Sequence, residues 1–355
     1  MTDATRPDGP LRVVAAAPLA AADRTRITEL EPRLDLVVDD ELLPPMRWPA
    51  DFVGDPDWHR TPAQQRAYES LVDSADALYG IPDVDPAALA RTVRANPRLR
   101  WVHTMAAGGG SQVAAAGLTA DELDRVSFTT SAGVHGGPLA EFALLGVLAG
   151  AKNLPRLTRL QRDREWSGRW PMGRVEGSTV LVLGLGGIGR VVATKLAALG
   201  ATVVGTRRSG AAVPGVDRVV HPDRLVEVAG EVDAVVNTLP GTAATEKLLG
   251  ADVLGALRPG TTLVNVGRGT VVDEDALLEA LDAGRVGFAA LDVFATEPLP
   301  ADSPLWNHDR VLVSPHTAAL DPGEERRIAE LFAANATRLL DGHDLINRVD
   351  TVEFY

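Results

Sequence analysis

Three segments in the second half of the chain each end in a side chain able to do chemistry. They read Val264-Asn265-Val266-Gly267-Arg268-Gly269, Leu291-Asp292-Val293-Phe294-Ala295-Thr296-Glu297-Pro298 and Ser314-Pro315-His316-Thr317-Ala318. Each opens as an apolar, strand-like run and delivers Arg268, Glu297 or His316 just past its end. A guanidinium can grip a carboxylate through two parallel hydrogen bonds and polarise an adjacent ketone. An imidazole can carry a proton near neutral pH, and a carboxylate bonded to it would orient it and favour its charged form. Of the seven histidines (His59, His103, His135, His221, His308, His316 and His343) only His316 follows such a strand, Val311–Val313, and precedes a helix. The glycines flanking Arg268 imply a backbone that can approach a ligand closely.

Upstream, Thr179 to Arg208 reads strand, glycine turn, helix, strand. Val180-Leu181-Val182-Leu183 is apolar throughout, as in a buried parallel strand. In Gly184-Leu185-Gly186-Gly187-Ile188-Gly189, Gly184 permits a tight turn and Gly186 lets the backbone approach a pyrophosphate. Gly189 lets the helix pack close to the strand. The amides of Gly187 and Ile188 open the helix Arg190–Leu199, whose positive end suits phosphate. A second strand, Ala201–Gly205, then ends in Thr206-Arg207-Arg208-Ser209 with no acid to take a ribose 2′-hydroxyl. Arg207, Arg208 and Ser209 suit a 2′-phosphate, so NADP is expected, with NAD possible if these arginines merely lie on the surface. Beside a nicotinamide ring, Arg268, Glu297 and His316 suit reduction of a keto acid.

Short apolar runs alternate with helical patterns along the whole chain, which predicts βαβ units and parallel sheets. In the first part strands are expected near Arg12–Ala15, Leu34–Val38, Ala77–Tyr79, Arg100–Met105 and Ser127–Thr130. Helices are expected near Asp23–Glu31, Pro62–Ser74 and Pro86–Arg94. The stretch Leu43–Thr61, with four prolines and Trp48 and Trp58, reads as a long loop, a binding loop or a surface excursion. Pro138–Gly150 is a strongly apolar helix leading into the next domain. The arm Asn153–Trp170 carries leucines at helical spacing and suits packing within the chain or across a dimer interface. A last helix near Pro322–Leu340 returns to the first domain. The expected architecture is α/β, with two Rossmann-like doubly wound parallel-sheet domains and an active-site cleft between them. Residues 1–149 and 319–355 would form a discontinuous substrate domain, and 150–318 the dinucleotide-binding domain.

The 355 residues carry 35 basic and 48 acidic groups, a net charge of −13, which disfavours nucleic acid as a partner. Only Lys152, Lys195 and Lys247 are lysines, so a lone arginine says less here than usual. The absence of cysteine removes disulfides, thiolate zinc sites and cysteine nucleophiles, and the histidines have no metal-ligand spacing. Leu11–Ala22 resembles a signal peptide in composition, but Asp3, Asp8 and Pro18 argue against one. The apolar run Phe142–Ala151 is far too short to span a bilayer. A cytoplasmic protein without membrane association is expected.

The glycine fingerprint, the Arg268 segment, Leu291–Pro300 and Ser314–Ala318 resemble the D-isomer-specific 2-hydroxyacid dehydrogenase family, over about Trp101 to Leu345. The resemblance implies that Arg268 binds the substrate carboxylate and carbonyl, that His316 is the acid/base and that Glu297 supports it. It implies that Asp292 holds the nicotinamide carboxamide, with Leu239, Pro240 and Val266 lining the ring. Ala107-Gly108-Gly109-Gly110 resembles the family's glycine turn, so the Gly108 and Gly109 amides are expected to receive the carboxylate. Gly110 and His135 depart from the usual pattern. The family implies a homodimer and reduction of a 2-keto acid to the D-2-hydroxy acid. Glyoxylate and hydroxypyruvate lead as substrates; a bulkier keto acid is the rival if Trp48, Trp58 and Trp101 line a pocket. Glu297 argues against formate dehydrogenases, which carry an amide there. The alternative from another class is a nucleotide-sensing, corepressor-like binding module of the same fold.

Overall fold

Buried parallel strands need apolar residues on both faces, and the runs that read this way fold as such. The computed structural model describes residues 9–352 and 354; residues 1–8, which include Asp3 and Asp8, and residues 353 and 355 lie outside the described residues. The chain divides into two compact units, Met1–His135 with Leu320–Tyr355, and Gly136–Ala319.

In the first unit, β1 (Leu11–Ala15), β2 (Leu34–Val37), β3 (Ala77–Tyr79), β4 (Trp101–His103) and β5 (Ser127–Thr129) form a parallel sheet in the order β2-β1-β3-β4-β5. The alanine-rich stretch after residue 10 is therefore an interior strand and the loop that follows it. Helix Glu324–Asp341 returns to this unit because Ile328, Phe332 and Ala336, one turn apart, bury a continuous apolar stripe. Phe332 stacks on Trp101 with ring centroids 4.5 Å apart and meets Tyr79 edge-on at 5.1 Å. Trp101 is thus fully buried in the core. That corrects the expectation that it lines a pocket: its indole is consumed in packing on Phe332.

His103, at the end of β4, is also fully buried. Trp101 Nε1–H donates to Thr129 Oγ1 at 2.8 Å, so the Thr129 hydroxyl is free to donate to His103 Nδ1, also at 2.8 Å. The remaining ring N–H, on Nε2, then meets Ser131 Oγ at 3.1 Å, whose hydroxyl donates to the Thr104 carbonyl. This chain suits a neutral imidazole, and burial pushes the His103 pKa down from 6.5 to about 3.

In the second unit the order is β12-β11-β10-β9-β6-β7-β8, all parallel. The strands are β6 (Thr179–Leu183), β7 (Thr202–Thr206), β8 (Arg218–Val220), β9 (Ala234–Asn237), β10 (Thr261–Asn265), β11 (Val286–Leu291) and β12 (Val311–Val313). The order reverses at β6, between β7 and β9, which is where such sheets bind nucleotides. The boundary between units falls at 135/136 and 319/320 rather than at 149/150 and 318/319. The reason is helix Gly136–Ala151, whose glycines sit against this sheet: a Cβ on Gly146 would lie 2.6 Å from Val264, and one on Gly150 would lie 2.0 Å from Thr262. Of the arm after it, only Leu154–Arg162 is helical. Among the described residues no helix is long and apolar enough to cross a membrane, and no group of three or more His, Asp or Glu could hold a metal ion.

A group whose folded pKa lies below its unfolded value costs stability as pH falls, because the unfolded chain takes up the proton first. For His103 the window runs from about 6.5 down to about 3. Replacing His103 with Asn should therefore remove about 1–2 kcal/mol of the stability loss between pH 6.5 and 5. Denaturant midpoints of both proteins at the two pH values measure it, and equal pH responses would show that His103 is not held neutral.

Candidate active site

The parallel register sets the strand ends side by side. Leu183 pairs with Asn237, Asn237 with Asn265, Asn265 with Leu291, and Leu291 with Val313. The next residues, Gly184, Thr238, Val266, Asp292 and Ser314, therefore share one carboxyl edge, and ligands bind at such edges.

Asn237 and Asn265 hold this edge together, though the sequence reading passed over them. Both are buried; Asn237 Nδ2–H donates to Asn265 Oδ1 at 2.8 Å, which also accepts the Gly267 amide at 3.1 Å. Asn265 Nδ2–H donates to the Arg268 carbonyl, and Asn237 Oδ1 accepts the Leu239 amide. The signal that could have found them is an asparagine closing two strands that are otherwise almost free of strongly polar side chains.

Gly267 and Gly269 are needed for packing, not for approach to a ligand. A Cβ on Gly267 would lie 2.5 Å from the Leu239 carbonyl oxygen, and one on Gly269 would lie 1.8 Å from the Phe294 carbonyl carbon. This corrects the reading of those glycines: the close neighbour is the protein's own backbone. The Arg268 side chain is left exposed, with Nη1–H on the Gly267 carbonyl at 2.8 Å.

From Phe294 the connection continues. Its amide donates to Glu297 Oε1 at 2.9 Å, and Glu297 Oε2 lies 2.7 Å from His316 Nδ1. The carboxylate fixes the ring with hydrogen on Nδ1 and leaves Nε2 to face a reactant. His316 adopts a left-handed backbone (φ 54°), which is rare for a residue other than glycine and occurs at functional sites. Its side chain is about half exposed, so protons can exchange with solvent.

The glycine segment makes the tight turn at Gly184 and the close helix packing at Gly189 that were expected of it. Gly184 has φ +88°, Gly186 has open space where a Cβ would stand, and a Cβ on Gly189 would lie 1.8 Å from the Gly184 carbonyl oxygen. Helix Gly187–Ala198 begins at Gly186 with no side-chain cap, so its first amides, Gly187 and Ile188 among them, can serve a phosphate. Arg207 and Arg208 follow β7 and, among the described residues, neither pairs with a carboxylate; Ser209 is exposed beside them. Two free guanidiniums fit a phosphate.

Asp292 is buried, and its Oδ1 accepts from Ser314 Oγ and from the amides of Thr317 and Ala318. Its Oδ2 is buried with no hydrogen-bond partner among the described residues. An orphaned buried carboxylate oxygen is costly unless a donor reaches it, and a carboxamide N–H would serve. Leu239 is half-buried, Pro240 exposed and Val266 buried on the same edge. The residues present fit a nicotinamide dinucleotide.

In the first unit Gly109 departs from expectation. Its amide donates to the Ala106 carbonyl at 3.2 Å, and a Cβ there would meet Thr104 Oγ1 at 1.8 Å. Its amide is thus committed to its own turn, while the Gly108 amide, on an exposed residue, has no backbone partner among the described residues. His135 pairs with the buried Glu324, Nε2 to Oε1, at 2.8 Å.

Residues 144–318 match the family model described as D-isomer specific 2-hydroxyacid dehydrogenase, NAD binding domain. A glyoxylate/hydroxypyruvate reductase A of Serratia proteamaculans is 36% identical over 217 residues, 61% of this chain and 68% of that protein. One from Salmonella dublin is 32% identical over 263 residues, 74% of this chain and 83% of that protein. The solved D-isomer specific 2-hydroxyacid dehydrogenase of Xanthobacter autotrophicus Py2, in complex with NADPH and MES, superposes with a TM-score of 0.75 at 30% identity, covering 98% of this chain and 100% of that one. The chain belongs to the D-isomer specific 2-hydroxyacid dehydrogenase family and is an NAD(P)-dependent oxidoreductase. These relatives lend the corepressor-like alternative no support.

Gly269→Ala should cost about 1–3 kcal/mol through overpacking and lower the melting temperature by several degrees. Gly186→Ala, in open space at the start of its helix, should lower the melting temperature much less. Equal melting temperatures for the two variants would refute the close backbone contact at Phe294.

Proposed function

We propose that the chain reduces 2-keto acids to D-2-hydroxy acids with NADPH, with glyoxylate and hydroxypyruvate as small acceptors. The observation that carries this reading is the Glu297–His316 pair, 2.7 Å apart, on the sheet edge that also bears Arg268. The names of the Serratia and Salmonella relatives support the acceptor, and the NADPH in the Xanthobacter protein supports the cofactor.

When bound, the reduced nicotinamide supplies the hydride. Asp292 Oδ2 would hold its carboxamide, with Leu239, Pro240 and Val266 beside the ring. Gly184, Gly186, Gly187, Ile188 and Gly189 would take the pyrophosphate, and Arg207, Arg208 and Ser209 the 2′-phosphate. Arg268 grips the substrate carboxylate and draws electron density from the carbonyl. In the first unit the Gly108 amide is assigned to a substrate carboxylate, and the Gly109 amide, occupied in its turn, is not. His316 Nε2 gives its proton to the carbonyl oxygen as negative charge develops there. Glu297 holds the imidazolium by charge and by hydrogen bond, and the exposed ring regains its proton from solvent. A cytoplasmic homodimer completes the reading, with the Asn153–Trp170 arm available for the interface.

The test is initial-rate oxidation of NADPH and of NADH by purified protein against glyoxylate and hydroxypyruvate. Arg268→Ala should lower kcat/KM about 10²- to 10³-fold while NADPH binding, followed by fluorescence, stays near wild type. Near-wild-type turnover in that variant would sink the role of Arg268.

The cofactor assignment has its own check. The double variant Arg207→Ala, Arg208→Ala should raise KM for NADPH about tenfold or more and leave KM for NADH little changed. An unchanged ratio would return both arginines to the surface.

A further inference from the structure

The first unit contains a cavity of about 560 Å³ at the carboxyl end of β1 and β3. It lies between the 43–62 loop and the segment that follows β3. Its apolar wall is formed by Pro18, Pro44, Phe52, Val53 and Trp58. The frame behind this wall is Arg60, whose side chain is 8% exposed. The Arg60 guanidinium lies over the Tyr68 ring at 3.6 Å and near the Trp58 ring at 5.4 Å. Arg60 Nε–H donates to the Leu42 carbonyl, and Nη1 pairs with Asp83 at 2.6 Å. The charge of Arg60 is therefore already met by Asp83, and the Asp55 carboxylate, which accepts the Asp57 amide at 2.9 Å, also lies on the lining.

The opposite wall is strained. Asp83 and Val84 both adopt left-handed backbones, φ 54° and 52°, and for the β-branched Val84 this is costly. The Val84 carbonyl accepts from Gln112 Nε2 at 3.4 Å, and the Gln112 amide donates to the Gly109 carbonyl at 3.1 Å. Gln112 thus links Val84, on the cavity lining, to the 106–109 turn, where the Gly108 amide stands.

We infer that this cavity takes the side chain of the 2-keto acid, and that an uncharged, aromatic-sized side chain is preferred over glyoxylate. The inference rests on the reading of the chain as a 2-keto acid reductase with Gly108 at the carboxylate. Proline rings, Phe52 and Trp58 offer flat apolar surface to such a group, and the volume is that of pockets for small organic ligands. Asp55 repels a second carboxylate, so 2-keto dicarboxylic acids are poor substrates. Phe52 and Trp58 are specificity-determining residues; Trp48, half-exposed and capped by Arg47 at 4.1 Å, is absent from the lining and is not one.

The experiment compares kcat/KM with NADPH for phenylpyruvate, glyoxylate and oxaloacetate in wild type, Trp58→Ala and Trp58→Phe. Phenylpyruvate should exceed glyoxylate by about tenfold or more, and oxaloacetate should be poorest. Trp58→Ala should lose about 10- to 100-fold on phenylpyruvate with glyoxylate nearly unchanged, and Trp58→Phe should retain most of the activity. Glyoxylate preferred in wild type, or equal losses on both substrates in a Trp58→Ala protein of unchanged melting temperature, would overturn the pocket assignment and leave the reductase reading intact. Turnover of none of the three would overturn the reaction itself. Calorimetric binding of phenylpyruvate to wild type and to Trp58→Phe and Phe52→Ala would then decide the pocket: loss in Phe52→Ala alone supports it, and no binding to wild type ends it.

Discussion

The contact on which the candidate site depends is the approach of the Gly269 backbone to the peptide of Phe294. A side chain there would force the backbone to shift, since a Cβ would fall 1.8 Å from the Phe294 carbonyl carbon. Through that contact the segment carrying Arg268 rests on the segment carrying Glu297. The Phe294 amide then holds one oxygen of Glu297, and the other oxygen holds His316. Backbone contacts thus bring the Arg268 and Glu297 segments together, and the Glu297 carboxylate in turn holds the His316 ring. That matters for catalysis, because a group held by its backbone needs no ordering at the moment it is used.

Polar atoms buried at the sheet edge do the remaining positioning. Asn237 and Asn265 bond to each other and to the turns after β9 and β10. Asp292 draws in Ser314 and the amides of Thr317 and Ala318, which ties the His316 loop to β11. Every such group would be a liability if left unmet. The exception at this edge is Asp292 Oδ2, which is buried without a hydrogen-bond partner among the described residues. At the end of β7, Arg207 and Arg208 have no carboxylate partner among the described residues.

The first unit solves a different problem. Its sheet is covered by a helix from the far end of the chain, through an aromatic stack of Phe332 on Trp101. A tryptophan that composition alone offered to a binding pocket is spent on that stack. Beside it His103 is kept neutral by burial and by a run of hydroxyls, a case where a titratable residue serves the core.

Much of this was legible in the residues. Alternating apolar runs foretold two parallel sheets, and the three reactive segments, the glycine fingerprint and the acid-free Thr206–Ser209 turn pointed to a dinucleotide and a keto acid. Local signals of this kind are readable because strand periodicity, glycine turns and strand-end chemistry depend on neighbours in sequence. What they left undecided depends on partners distant in sequence. Helix Gly136–Ala151 belongs to the second unit because its glycines meet Val264 and Thr262; Gly109 serves Thr104 and its own turn; Gly267 and Gly269 admit backbone, not ligand. A glycine pattern says that something comes close and is silent on what it is. The chain by itself determined which chemical groups are present and the elements that carry them; tertiary packing decided which glycines, tryptophans and histidines are spent on the core and which face a reactant, because burial and close approach are set by residues far away along the chain.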